Sequence, residues 1–181
     1  MENKIKIADL EFNLLIDAEH IKNRVEAIAE SLNTEFAGKN PLFVGVLNGC
    51  FMFMADLVRN ITTPCEISFT KVASYHGGLQ TTWQLRNDLG LAVDIEGRDV
   101  ILLEDISDTG NTLKFLIDDL KQRNPASLTV CALLLKPAAQ QYHIPEVKYV
   151  GFEIEDKFVV GYGLDYKELG RNLNGIYQLV L

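Results

Sequence analysis

Cysteine is scarce: Cys50, Cys65 and Cys131 are the only three, widely spaced and outside any C-x-x-C arrangement. An odd number at such spacing excludes a disulfide framework and a zinc knuckle, and it leaves the three as reduced core residues. Histidine is equally thin, and His20, His76 and His143 stand too far apart for an H-E-x-x-H or any other histidine metal set. Basic charge is in deficit, with 17 lysines and arginines against 25 aspartates and glutamates, a net charge of −8 and a pI near 4.9. That balance excludes a broad basic face for nucleic acid or for an anionic membrane. No apolar run approaches the roughly 18 residues of a membrane-spanning helix, and Met1 to Leu15 alternates charged with apolar residues. The expected location is the cytoplasm, with neither a nucleic-acid nor a membrane partner. Repeats and low-complexity segments are missing as well.

What is there suits one globular domain. The 181 residues compare with roughly 150 per domain, and 48% hydrophobic against 23% charged residues is enough to bury a core. Ile21, Val25, Ile28, Ala29 and Leu32 fall at helical spacing behind Asp17, a plausible N-cap, and Gly38 with Pro41 closes that helix. Pro41 to Leu47 is a short apolar run, followed after Asn48-Gly49 by a segment, Phe51 to Arg59, long enough for a buried helix. Cys65 to Ala73 carries β-branched and aromatic residues in partial alternation and predicts a strand. From Ser74 to Asn87 periodicity vanishes, and the stretch predicts a long loop of the kind that serves function. Val100 to Leu103 predicts a buried strand, Thr112 to Arg123 a helix, and Ser127 to Leu135 another buried strand. Val147 to Phe152 and Phe158 to Tyr162 predict two more. Apolar strands alternating with helices argue an α/β fold, a parallel twisted sheet with helices on both faces.

The chemistry concentrates in Val100 to Leu113, VILLEDISDTGNTL. An apolar strand runs into Glu104-Asp105, and a polar loop then leads to a helix start near Thr112. Open α/β sheets bind ligands at the carboxyl ends of their strands, and a helix N-terminus offers free N–H groups to an anion. Thr109, Gly110, Asn111 and Thr112 therefore suit a monophosphate. Glu104, Asp105 and Asp108 beside it pose a charge problem, since two carboxylates about 4 Å apart repel by about 4 kcal/mol at an effective dielectric of 20. The resolution is that Glu104 and Asp105 accept from sugar hydroxyls or hold a hard cation such as magnesium, which leaves Asp108 free for proton transfer. Competing motifs fail: there is no G-x-x-x-x-G-K-[ST], no G-x-S-x-G, and Leu116 occupies the place where an EF-hand needs glutamate.

Two acidic residues after a strand followed by Asp-Thr-Gly-x-Thr resemble the phosphoribosyl-pyrophosphate signature of the type I phosphoribosyltransferases. The resemblance extends over nearly the whole chain and is closest to the hypoxanthine (6-oxopurine) members. It runs through Gly45 to Gly49, Ser74-Tyr75, Leu135-Lys136, Asp156 to Tyr162 and Leu164 to Tyr166. It implies transfer of ribose 5-phosphate from phosphoribosyl pyrophosphate to purine N9, with release of pyrophosphate and help from Mg2+. It also implies a single domain with a core over about 36–152 and a small hood from about 1–35 and 153–181. Carried over, Glu104 and Asp105 would bind the ribose hydroxyls, Asp108 would be the acid/base near purine N7, and 108–112 would hold the 5-phosphate. Lys136 would meet the purine 6-oxygen, Phe158 would stack on the ring, and the Val159 backbone would meet its edge. Asp165 would bind magnesium alongside Glu104 and Asp105, and Arg171 would contact pyrophosphate. Asn48 and Gly49 would line the pyrophosphate loop, with asparagine where many relatives carry lysine or arginine. Ser74 and Tyr75 would open the segment that closes over the site. Lys136 donates and cannot accept, so it complements a 6-oxo group and opposes the 6-amino group of adenine. Relatives are commonly dimers or tetramers, and a homo-oligomer is expected.

Two rival readings lose on the same residues. A non-catalytic regulator that senses phosphoribosyl pyrophosphate and binds nucleic acid needs a basic surface, which a charge of −8 does not supply, and it has no use for Asp108. A phospho-acceptor receiver domain needs its acidic pair near the N-terminus, which is the wrong order.

Overall fold

The computed structural model describes residues 4–75 and 84–180. The first elements are β1 (Lys4–Ile7), β2 (Leu10–Ile16) and α1 (Ala18–Glu35). Asp17 caps α1 as expected, accepting from the His20 N–H at 2.9 Å. Then come β3 (Leu42–Leu47), α2 (Phe51–Val58), β4 (Glu66–Tyr75), β5 (Gln84–Leu89), β6 (Asp99–Ser107), α3 (Asn111–Lys121) and β7 (Ser127–Leu135). A 3₁₀ turn at Pro137–Ala139 precedes β8 (Val147–Glu153), β9 (Val159–Val160) and β10 (Ile176–Leu179).

Six of the strands form a sheet in the order β5-β4-β3-β6-β7-β8. Five run parallel, and only β5 is antiparallel to its neighbour. The central strands are apolar because both their faces are covered. Ile101 and Leu103 pack with α1 and α2 on one side, while Val100 and Leu102 pack with α3 on the other. The remaining strands make a second, antiparallel sheet, β1-β2-β10-β9, from the two ends of the chain. Its own small core is Ile7, Phe12, Val160 and Tyr177. A parallel sheet with helices on both faces and a small second sheet from both chain ends is the architecture that the resemblance implied.

Three expectations are corrected. The region from Ser74 to Asn87 is paired strand at both flanks, with Ser74 opposite Leu85 and Tyr75 opposite Gln84. An edge strand needs backbone partners along one side only, so no apolar alternation announced it; residues 76–83 and the closure assigned to them lie outside the described residues. Second, β6 does not stop at Glu104 but stays paired with β7 through Ser107 and Leu135. Third, α1, expected in the hood, packs against the core sheet as well, its buried face sharing one core with Val159, Tyr162, Leu164 and Ile176 of the hood. Its buried face joins Leu133 and Phe53, and Arg24 donates to the carbonyls of Gly151 at 2.8 Å and Val150 at 2.7 Å on β8.

Candidate active site

The carboxyl ends of β3, β6 and β7 lie side by side, and the polar loops that leave them converge beneath the hood. Successive side chains of a strand point to opposite faces. Glu104 and Asp105 therefore do not form a pair but flank the sheet. Glu104 lines a hollow of about 60 Å³ with Ile106 and residues 107–113, on the α3 side. Asp105 lies against the loop after β3, where a β-carbon on Gly49 would stand 1.5 Å from its Oδ2. The two carboxylates are thus placed on opposite faces of the sheet, although their charges still interact.

Glu104 is 6% exposed, and its Oε2 has no hydrogen-bond partner. Burial, then the neighbouring Asp105 charge, holds its carboxyl well above the ordinary range. A buried oxygen of this kind awaits a donor or a cation. Asp105 accepts from the Ile106 N–H at 2.9 Å, and burial pushes it up to about 6 against that hydrogen bond and the attraction of Arg171. A raised carboxyl costs the folded state stability as pH climbs from about 4 to 6, in full above 6, by up to about 3 kcal/mol. In the ligand-free protein at pH 7, Asp105→Asn is accordingly expected to raise Tm by several degrees. The gain should vanish near pH 4, where the native aspartate is protonated, and an equal gain over wild type at both pH values would refute the assignment.

Gly110 forms the N-cap of α3 in a left-handed conformation, φ 84°, with no side-chain cap. The Asn111 N–H makes a long bond of 3.4 Å to Thr109 Oγ1, and the first turn still presents its N–H end to an anion. Thr109 Oγ1 accepts from Asn111 Nδ2 at 3.0 Å, so both side chains belong to this cradle. Asn111 already belongs to α3, one residue ahead of the expected start. Gln140 pins the loop from outside: its Nε2 donates to the Ser107 carbonyl at 3.1 Å and to the Asp108 carbonyl, while the Gln141 N–H meets the Thr109 carbonyl. No motif had marked Gln140.

Asp108 is not free, as the sequence reading had it. Its Oδ2 accepts from Lys136 Nζ at 2.9 Å, and Asp156 Oδ1 accepts from the same ammonium at 3.1 Å. The Lys136 side chain is 7% exposed. Burial pulls its pKa down, but the hydrogen bonds to Asp108 and Asp156 prevail and hold it above its ordinary value. In the sequence Asp156 is one residue of the block Asp156 to Tyr162, and nothing in its neighbours marks it as a partner of Lys136.

The hood supplies the rest. Phe158 is exposed, its ring 5.9 Å from Tyr166 edge-on and 6.3 Å from Phe12, whereas Val159 is buried in β9. Arg171 bonds Asp165 at 2.7 Å, Glu168 at 3.0 Å and the Gly163 carbonyl at 2.9 Å. Asn48 is exposed on the turn after a cis Leu47-Asn48 peptide. The backbones of Ser74 and Tyr75 end β4; their side chains lie outside the described residues. Among the described residues, no three His, Cys, Asp or Glu side chains are grouped so as to hold a metal ion. Glu104, Asp105 and Asp165 are thus not a ready-made three-ligand cage, although their hard oxygens suit magnesium once a substrate contributes oxygens of its own.

Hood and core meet at Gly163, whose φ is 102° and where a β-carbon would stand 1.9 Å from the Gly49 carbonyl oxygen. Both the conformation and the clash are backbone constraints that no rotamer relieves. Gly163→Ala is expected to destabilise the protein by about 3 kcal/mol, a Tm loss of roughly 6–12 °C in a thermal melt. A loss below 2 °C would mean that hood and core separate at no cost.

A family model described as the phosphoribosyl transferase domain matches residues 15–167. The hypoxanthine phosphoribosyltransferase of Haemophilus influenzae is 44% identical over 172 residues, covering 93% of this chain and 96% of that one. The hypoxanthine-guanine phosphoribosyltransferase of Staphylococcus aureus is 44% identical over 160 residues, 88% and 89% of the two chains. A crystal structure of a hypoxanthine-guanine phosphoribosyltransferase from Bacillus anthracis superposes with a TM-score of 0.87 at 37% identity, covering 97% of this chain and all of that one.

Proposed function

The chain belongs to the phosphoribosyl transferase family, and we propose that it transfers the 5-phosphoribosyl group of phosphoribosyl pyrophosphate to N9 of a 6-oxopurine, hypoxanthine first and guanine as well. It is a pentosyl-transferring enzyme of purine salvage. The observation that carries the choice of base is the Lys136 ammonium, a buried cation with donors only, fixed beside Asp108.

The uncapped start of α3, with 109–112, binds the 5-phosphate. Glu104, whose Oε2 lacks a partner, and Asp105 accept from the ribose hydroxyls. The base stacks on Phe158 with its edge along the Val159 backbone, and Lys136 donates to its 6-oxygen. Asp108 takes the N7 proton as N9 bonds to the anomeric carbon. Asn48, Gly49 and Arg171 face the departing pyrophosphate. Asp165, with Glu104 and Asp105, would hold magnesium, which would supply neutralisation of the charge on the leaving group. Exclusion of water would strengthen every charge interaction at the site and protect the ribosyl centre from capture.

Three free cysteines support the cytoplasmic setting that we propose; among the described residues no helix is long and apolar enough to cross a membrane. We place the active form as a homodimer or homotetramer, to be read by light scattering against the 20.3 kDa of one chain.

The test mixes the protein with magnesium, phosphoribosyl pyrophosphate and one base at a time. Turnover is expected with hypoxanthine, then guanine, and not with adenine. Binding of phosphoribosyl pyrophosphate without turnover of any base would overturn the reading.

A further inference from the structure

Lys136 holds two carboxylates at once, and they arrive from different parts of the chain. Asp108 lies on the loop between β6 and α3, and Asp156 on the bend between β8 and β9. The two hydrogen bonds serve unequal ends. While Asp108 Oδ2 accepts from the ammonium, that oxygen is turned to Lys136 and not to a purine proton. The same ammonium must also turn toward a purine oxygen. If Asp108 were its only partner, protonation of Asp108 during the reaction would leave a buried, uncompensated cation.

We propose that Asp156 is a positioning residue: it anchors the Lys136 ammonium while an incoming 6-oxopurine draws that ammonium off Asp108, so that binding of the base itself frees Asp108 to act. This rests on the reading of the protein as a 6-oxopurine phosphoribosyltransferase. The charges balance throughout. Before transfer there is one cation between two anions. In the transfer, N9 donates its electron pair to C1′, the C1′–oxygen bond breaks with its pair leaving on pyrophosphate, and the N7 proton passes to Asp108. Afterwards Asp108 is neutral and Lys136 remains paired with Asp156. The geometry separates the roles: Asp156, 60% exposed at its side chain, adds little to the fold, whereas the lysine it holds is buried.

The test compares wild type, Asp156→Asn and Asp156→Glu in steady-state kinetics, varying hypoxanthine and phosphoribosyl pyrophosphate separately. For Asp156→Asn the KM for hypoxanthine is expected to rise about tenfold, the loss of the anionic charge from a hydrogen bond to an ammonium, with the KM for phosphoribosyl pyrophosphate within about twofold. Asp156→Glu should recover most of the loss. An unchanged KM for hypoxanthine overturns the proposal, and so does a parallel rise in both KM values, which marks a mere prop for the hood. Wild-type protein that turns over no base at all refutes the underlying functional reading, a failure visible before any variant is measured.

Discussion

Asp108→Asn is expected to lower the single-turnover rate with hypoxanthine and phosphoribosyl pyrophosphate by about 100- to 10,000-fold at neutral pH, the span of one general base. Asparagine keeps the size of the side chain and still accepts from Lys136, but it takes no proton. The phosphate loop should stay in place, because Gln140 and Gln141 hold it through backbone carbonyls of Ser107, Asp108 and Thr109 and not through the carboxylate. The Asp108 side chain is half exposed, and its replacement should move Tm by no more than about 2 °C. A large rate loss at constant Tm therefore isolates the proton transfer. Full turnover by the variant would remove Asp108 from that role.

The second large effect concerns the choice of base. Lys136→Gln is expected to reduce kcat/KM for hypoxanthine about a hundredfold, the roughly 3 kcal/mol carried by a buried charged donor. Unlike lysine, glutamine presents either a donor or an acceptor according to which way its amide turns. Opposition to a 6-amino group is then lost, and the preference for hypoxanthine over adenine should fall by at least about tenfold. Asp108 and Asp156 would face each other without their shared cation, so some of the rate loss will come from Asp108 itself. The ratio of the two bases, measured in one mixture, removes that common factor. An unchanged ratio would move the discrimination away from Lys136 to the backbone along β9.

Most of the core was legible because its strands are buried on both faces. A strand such as Leu42–Leu47 has no solvent side, and its sequence, LFVGVL, is apolar throughout. The start of α1 was legible from Asp17, a local signal that needs no tertiary partner. The phosphate cradle was legible for the same reason, since 108–112 are contiguous and the helix they open supplies its own N–H groups. β5 was not legible, because QLRNDL is a strand by virtue of pairing with β4 and not by any pattern of its own. Nor was the placement of α1, whose apolar face is equally suited to core or hood.

The active site divides along the same line. Neighbours in sequence identified the loop, the acidic residues, the strand ends and the family they resemble. They did not show that Glu104 and Asp105 leave the strand on opposite faces. They misjudged Asp108 as free, since its cation is 28 residues away, and Asp156 meets that cation from 20 residues further on. Gly49 and Gly163 touch backbone to backbone across the hood and core, although each alone is an ordinary turn residue. Periodicity, capping and turn chemistry act within a few residues, so the chain itself determined its elements, its fold class and its phosphate loop. Which distant charges share a buried space depends on how those elements pack, and only the tertiary structure decided that Lys136 stands between two carboxylates.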